Sequence, residues 1–477
     1  MKETLEKAAS EVQGTPGGPL PPSRRRPVLR RLSGFFATGE DKPLLTDRGE
    51  IDRLYRRNRL AIMTAITVGY GIAYTCRLGL SVVKKPLIDG GIFSADELGL
   101  IGSGIFYGYA FGKLVNGFLA DHANIRRFMT VGILLSALVN VAMGWSTLLW
   151  VWVALWALNG WFQGFGAPAG MVSLSQWFSN RERGRFYGIW STAHSLGEGL
   201  TFIGSAALVT YFGWQAGFVG PGLLCVVLAM VMWVFLRDRP QTLGLPSVAD
   251  WRNDRAEITQ AQKAPLSTWH TQLSILRLPS IWILALASAT MYMTRYGMNS
   301  WGMLYLQEAK GYSDLQAGGL LALNPLAGIA GCATYGFVSD KLFGARRPPL
   351  NLICAGMEIL ALSIMFFAPA GHPVLLAVAF LMYGFSINGL VTSLGGLFAV
   401  DISPKKATGA AMGFIGVFSY VGAAIQERIS GSLIRQGTTI VDGVRQYDFR
   451  YAIVFWLACS VVSMFLAASL WRARMRD

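Results

Sequence analysis

The sequence predicts an all-α membrane protein, with 12 transmembrane helices arranged as two pseudo-symmetric six-helix halves. Three observations predict it: too little charge for a soluble chain, apolar runs that recur along the sequence, and a repeat that relates its two halves. Of 477 residues, 53% are hydrophobic and only 14% charged. The mean hydropathy is +0.41, whereas a soluble domain is about one-quarter charged. The net charge is +15. The basic residues sit in short segments between apolar runs instead of forming one patch. That distribution points to membrane orientation and away from nucleic acid.

Residues 1–59 are polar and carry the basic run Arg24, Arg25, Arg26, Arg30 and Arg31. With no apolar segment placed as in a signal peptide, this stretch is expected to be a cytoplasmic tail ending in an amphipathic surface helix around Asp52 to Arg59. Apolar runs long enough to cross about 30 Å of hydrocarbon then fall near 60–83, 97–119, 128–146, 149–174, 184–211 and 216–236. A polar stretch, 237–278, reads as a cytoplasmic linker. A second set follows near 279–305, 315–338, 349–369, 373–398, 407–434 and 450–471. The expected division is therefore an N-terminal half at 60–236 and, at 279–477, a C-terminal half with a short tail.

Loop charge alternates. Arg126/Arg127, Arg181/Arg183/Arg185, Arg237/Arg239, Lys341/Arg346/Arg347, Lys405/Lys406 and Arg472/Arg474/Arg476 all fall on one side. The opposite loops are sparsely or evenly charged apart from Lys84/Lys85. The positive-inside rule makes that basic side, and both termini, cytoplasmic. Cys76, Cys225, Cys332, Cys354 and Cys459 lie within or beside apolar runs. None has metal-ligand spacing, and packing is their expected role.

The halves echo each other at a period of roughly 220 residues. Gly117-x-x-x-Asp121 followed by Arg126-Arg127 matches Gly336-x-x-x-Asp340 followed by Arg346-Arg347. Arg77 matches Arg295, and Arg183-Gly184-x-x-x-Gly188 matches Lys406-x-x-Gly409-x-x-x-Gly413. Repeated acid-and-arginine loops of this kind resemble those of the major facilitator superfamily. The resemblance implies that Asp121 and Asp340 accept bonds from a neighbouring helix end, and that Arg126, Arg127, Arg346 and Arg347 help hold the cytoplasmic side closed.

Ionisable groups inside apolar runs cost several kcal/mol unless they meet a partner or a polar cavity. Arg77, Lys113, His194 and Arg295 are such groups, and no carboxylate neighbours either arginine in sequence. A guanidinium fork matches a tetrahedral oxyanion and stays charged at any relevant pH. Two forks at repeat-equivalent positions suit a phosphate better than a sugar or a cation. Lys113 adds a point charge and His194 a donor. Glu198 stands one helical turn after His194 and could pair with it. Tyr70, Tyr74 and Tyr109 share helix faces with Arg77 and Lys113 by spacing.

At these residues the chain resembles the organophosphate:phosphate antiporter family, which includes hexose phosphate and glycerol phosphate transporters and a hexose phosphate sensor. The stretches are GYGIAYTCR at 69–77, YGYAFGKLVNGFLAD at 107–121, NGWFQGFGAP at 159–168, WSTAHSLGEG at 190–199, RYGMNSWGMLYLQE at 295–308 and PKKATGAAMGFIGVFSYVG at 404–422. The resemblance implies that Arg77 and Arg295 bind phosphate, joined by Lys113, His194, Tyr70, Tyr74 and Tyr109. PLLTDRGEIDRLYRR at 43–57 and ADWRNDRAEI at 249–258 are closest to the sensor branch. The chain departs from the family pattern at Leu78, at Asn324 where a glutamate is common, at Leu390, and at Glu198 in place of a glycine. Glu427 and Arg428 add charges late in the eleventh span.

These readings imply an inner-membrane transporter that exchanges a phosphorylated metabolite, such as glucose 6-phosphate, for inorganic phosphate by alternating access. Two facing arginines without counter-ions would disfavour closure of an empty site. A monomer is expected, with no metal, no ATP and no enzyme chemistry implied. One alternative is a membrane receptor for external hexose phosphate acting on a partner histidine kinase. Another is a cation-coupled carrier of a different anion. A reporter fused after Asp477 is expected to be active when it needs the cytoplasm; activity of a periplasm-dependent reporter there would reverse the assigned topology.

Overall fold

The structure is a computed structural model that describes residues 34–120, 122–254, 274–344, 346–402, 408–441 and 444–473. The Arg24–Arg31 run, Asp121, Lys405, Lys406, Arg474 and Arg476 lie outside the described residues, as do the side chains of Arg181 and Arg183. Two compact units are distinguished. In Met1–Ala37 the described part is a short helical stretch in which the Phe35 and Phe36 rings meet edge to face. Thr38–Asp477 holds everything that follows.

The first half comprises α1 (Arg48–Asp89), α2 (Ala95–Ala120), α3 (Ile125–Met143), α4 (Leu149–Gln163), α5 (Gly166–Trp177), α6 (Asn180–Leu200), α7 (Ala206–Phe212) and α8 (Ala216–Phe235). The second comprises α9 (Pro279–Lys310), α10 (Asp314–Phe343), α11 (Arg347–Phe367), α12 (Pro373–Thr392), α13 (Phe398–Ile402), α14 (Thr408–Gln436) and α15 (Arg450–Ser469). An antiparallel hairpin of β1 (Thr438–Val441) and β2 (Val444–Tyr447) joins α14 to α15. Starts and stops follow local chemistry. Asp47 caps α1 through the Gly49 amide and Asn124 caps α3 through that of Arg127, while a Ser313–Gln316 capping box opens α10.

Nine of the described helical segments are long and apolar enough to span a membrane. The helical stretches beginning at Leu149, Asn180 and Pro279 fall outside that set for identifiable reasons. The first is interrupted after 15 residues at Gly164. α6 opens with Asn-Arg-Glu-Arg, and α9 carries Thr294, Arg295, Asn299, Ser300 and Gln307 along its buried length. Composition alone therefore identifies nine of the 12 expected spans.

The repeat reappears in the packing. A Cβ on Gly108 would collide with the Ala157 carbonyl and one on Gly160 with that of Ile105, so α2 and α4 cross backbone to backbone. Gly331 and Gly384 stand in the same relation to Phe385 and Asn324 and bring α10 onto α12. Such crossings let van der Waals contact act where lipid supplies no hydrophobic drive.

Next to the linker, charged side chains tie loops within one half. Arg347 bonds Asp340 at 2.8 Å and Asp401 at 2.7 Å, and Arg346 lies over the Trp471 ring. Arg126 donates to the Trp233 carbonyl and covers its ring. The described contacts of Arg126, Arg346 and Arg347 stay within their own half, so these three side chains are not seen to bridge the halves on the side expected to be cytoplasmic. Asp238 accepts from the Ile125 and Gly39 amides at 3.0 and 3.2 Å. Trp251 stacks on Tyr55 with ring centroids 4.1 Å apart, and its indole N–H donates to Asp52 at 2.6 Å.

Apart from one pair in the central site, the described ion pairs between halves lie at the opposite end. Lys84, expected in a loop, is instead buried in α1. It bonds Glu427 of α14 at 3.2 Å and Ser300 of α9 at 2.7 Å, with the Trp301 ring beneath it. Lys85 pairs with Glu308, Asp96 with Arg428, and Arg445 donates to the Ile88 carbonyl. Removing one member of a buried pair costs about 3–5 kcal/mol, because the other is left charged and dry. Glu427→Gln is therefore expected to lower the unfolding temperature of the purified protein more than the double change Lys84→Met/Glu427→Gln. Equal losses would show that the pair is not energetically coupled.

Candidate functional site

The first half holds Arg77 by satisfying the backbone around it. α1 contains a π-helical turn at Ala65–Gly69 and is re-capped at Tyr74, and such irregularity is tolerated in a span where neighbours satisfy the freed carbonyls. Here the neighbours are amides. Asn140 and Asn159 donate to the Cys76 carbonyl at 3.1 and 2.8 Å, and Gln163 donates to that of Ala73 at 3.1 Å. Ser136 links Gln163 to Asn159. The second half fixes Arg295 through the residue before it. Thr294 bonds the Trp456 carbonyl and Ser460, Ser460 donates to the buried Glu358, and the Tyr383 hydroxyl donates to the Thr294 carbonyl.

Arg77 is 3% exposed. Its guanidinium carbon lies 4.0 Å from the Tyr109 ring centre, 5.0 Å from that of Tyr74 and 5.3 Å from that of Tyr420, and it donates to the Tyr296 hydroxyl at 3.4 Å. Among the described residues no carboxylate lies within ion-pair distance, and its buried Nε finds no partner. Arg295, 4% exposed, is different: it donates to Glu198 at 2.8 Å. This corrects two expectations, that both arginines lack counter-ions and that Glu198 pairs with His194. The carboxylate reaches across from α6 to α9 instead.

Lys113 is half-buried and lies 5.7 Å from the Tyr420 ring. Tyr420 also meets Tyr109, with centroids 4.5 Å apart. Tyr70 packs between Tyr74 and Trp190 and makes no described bond to either arginine. His194 is half-buried, one turn before Glu198, with Arg295, Glu198 and Arg77 as its nearest charges. Asn324 donates to Asn299, one turn beyond Arg295 on α9, and its own carbonyl is buried without a partner. Sequence reasoning missed Tyr296, Tyr420 and Asn299. Tyr296 directly follows Arg295, and Tyr420 falls inside a stretch already singled out, so both lay beside signals that were read. The cluster carries an excess of positive charge between the halves and offers hydroxyl and amide groups around it, which suits a small anion. The described residues contain no group of side chains able to hold a metal.

Residues 60–426 match the model of the Major Facilitator Superfamily. The chain belongs to that superfamily. It is a multi-pass membrane protein of a transporter family, not an enzyme, and its relatives are those of the organophosphate:phosphate antiporter family that its motifs resemble. It is 37% identical over 396 residues to the membrane sensor protein UhpC of Salmonella typhimurium, covering 83% of this chain and 89% of the relative. To the glycerol-3-phosphate transporter of Bacillus subtilis it is 34% identical, covering 81% and 89%. To the probable hexose phosphate transport protein of Chlamydia pneumoniae it is 29% identical, covering 93% and 98%. Among solved structures, the inward-facing, unoccupied bacterial homologue of the human lysosomal transporter Spinster superposes with a TM-score of 0.70 at 15% identity, covering 88% of this chain and 99% of that one.

An unpaired buried polar group costs about 1–3 kcal/mol. Asn159→Leu removes one of the two side-chain donors to the Cys76 carbonyl and leaves the buried Ser136 hydroxyl without its acceptor, and is expected to lower thermal stability by an amount in that range, whereas Ser175→Ala, at an exposed site, is expected to change it little. An unaltered melting temperature for Asn159→Leu would show that the carbonyl does not depend on this donor.

Proposed function

We propose that this protein binds a phosphorylated small metabolite, a hexose phosphate or glycerol phosphate, between its halves and carries it across an inner membrane by alternating access, with inorganic phosphate as the exchange partner. The single observation that carries this reading is Arg77. A permanently charged guanidinium is buried with aromatic faces around it and no carboxylate among the described residues. Ring faces return part of the lost hydration, at about 2 kcal/mol or more each when dry. An isolated ion buried in protein costs more than that. An anionic ligand supplies the rest. Arg295 and Lys113 extend the positive region, and Tyr74, Tyr109, Tyr296 and Asn324 supply groups for the hydroxyls of a sugar or glycerol moiety. Relatives named for hexose phosphate, glycerol-3-phosphate and phosphoglycerate support the phosphoryl group as the shared feature. Inorganic phosphate carries that group alone and competes for the same arginines. The assignment is to a monomer with both termini cytoplasmic.

A second reading, reception of external hexose phosphate with signalling to a partner histidine kinase, is favoured by a specific observation. The two segments most similar to the sensor branch, 43–57 and 249–258, meet through the Asp52–Trp251 bond and the Tyr55–Trp251 stack. Arg59 stacks on Phe178 and pairs with Glu182 beside them. Two relatives named as sensors are 37% and 36% identical. The same ligand site serves either reading; the readings differ in whether ligand crosses.

Ligand titration of the purified protein tests the site. Glucose 6-phosphate is expected to raise the unfolding temperature and glucose to leave it unchanged; equal effects would remove the phosphoryl group from the argument. Arg77→Lys keeps the charge but loses the planar fork. With about 1.5–3 kcal/mol in a charged hydrogen bond, affinity is expected to fall roughly ten- to a hundredfold, and likewise for Arg295→Lys. Unchanged affinity in both variants would make the arginines structural. Uptake of labelled ester into phosphate-loaded vesicles then separates carrier from receptor.

A further inference from the structure

The phosphate-ester reading leaves Glu198 unexplained, and the geometry gives it a part. Glu198 is 1% exposed and holds Arg295 at 2.8 Å across the boundary between the halves. The arrangement is one-sided. Gly197 packs on the Gly71 carbonyl as Gly422 packs on that of Ala289, so the two glycines occupy equivalent places in α6 and α14. The residue after each is Glu198 in one half and Ala423 in the other. Arg295 therefore has a resident carboxylate, and Arg77 has none among the described residues.

A phosphate that bridges both arginines competes for the guanidinium of Arg295, whose Nη2 donates to Glu198 in this structure. Two anions cannot share that guanidinium without mutual repulsion, and a carboxylate displaced into a dry site cannot stay charged at low cost. The titratable and charged groups facing it are His194 on its own helix, Tyr74 and Arg77 on α1, and Arg295 and Tyr296 on α9. Cys332 on α10 and Tyr383 on α12 complete the surroundings. Among the described residues none of these is a second carboxylate. We propose that Glu198 is a built-in competitor: it neutralises Arg295 while the site is empty, and it yields Arg295 to the phosphate ester while its carboxylate accepts one proton from solution.

This rests on the phosphate-ester reading above and changes what that reading entails. The oxygen–hydrogen bond formed on the Glu198 carboxylate uses a solvent proton, so each ester that binds brings about one proton with it. Binding is then favoured as pH falls. The empty carrier also keeps one arginine neutralised and can return unloaded, so exchange with phosphate is permitted but not obligatory.

The experiment uses the full-length protein, glucose 6-phosphate, and calorimetric titrations in two buffers of different ionisation enthalpy, which count the protons taken up per ligand. Wild type is compared with Glu198→Gln; ionisation of the ester and of His194 is common to both. The expected result is that Glu198→Gln binds at least about tenfold more tightly at pH 7.5, because the competitor is gone, and takes up about one proton fewer. In vesicles, the variant should move the ester only against internal phosphate, whereas wild type also accumulates it in phosphate-free vesicles under an inward proton gradient. Equal or weaker binding by Glu198→Gln with an unchanged proton count would overturn the inference and leave the phosphate-ester reading standing. Absence of ester binding by wild type would overturn both. If the variant does not fold, the wild-type count decides: no proton uptake overturns the proposal.

Discussion

A charge that never titrates, placed where lipid excludes water, is the constraint on which this molecule is organised. Arg77 and Arg295 each sit on a long helix whose remaining surface must satisfy a membrane, so every device near them serves either to hold the guanidinium or to offset its charge. In the first half the holding is done by amides: Asn140 and Asn159 donate to the Cys76 carbonyl, and Gln163 takes the Ala73 carbonyl beside the irregular turn of α1. In the second, Thr294, Ser460, Glu358 and Tyr383 form a corresponding knot. Buried polar networks of this kind are stable when their members find partners, and they then fix geometry more strictly than apolar packing does.

The offsetting differs between the halves, and that difference connects structure to mechanism. Tyrosine faces surround Arg77, whereas a carboxylate meets Arg295. Two repeats that share backbone crossings down to their glycines have diverged at the point where charge is balanced. A pseudo-symmetric scaffold thereby presents a site with one open and one occupied arm.

Much of the fold was legible because lipid imposes a coarse rule. Runs of the right length and charges on alternate loops can be read without knowing any contact. The arginines were legible for the same reason, since a charge inside an apolar run stands out, and helical spacing pointed to Tyr74 and Tyr109, whose rings face Arg77, but also to Tyr70, which makes no described bond to either arginine. What could not be read were pairings between chain positions far apart. Lys84 sits beside Lys85 and looked like a loop, yet its partner Glu427 comes from another half. Glu198 stood one turn from His194, and the nearer partner in sequence proved the wrong one. Arg126 and Arg347 lie in loops that face the other half in a simple diagram, but they close on Trp233, Asp340 and Asp401 of their own. Periodicity reports which face of a helix is buried and is silent about which helix covers it.

The seal at the end away from the linker is built from charge, with Lys84, Glu427, Asp96, Arg428, Lys85 and Glu308 meeting where the halves touch. Hydrocarbon exposed on opening would be a pure loss. Ammonium and carboxylate groups regain hydration when they separate, and a buried pair is close to break-even against water to begin with. A gate made this way is held shut by fit more than by depth of energy, so its open and closed forms can lie near one another in free energy. Near-degeneracy of that sort lets a ligand with only a modest preference for one form decide which is populated.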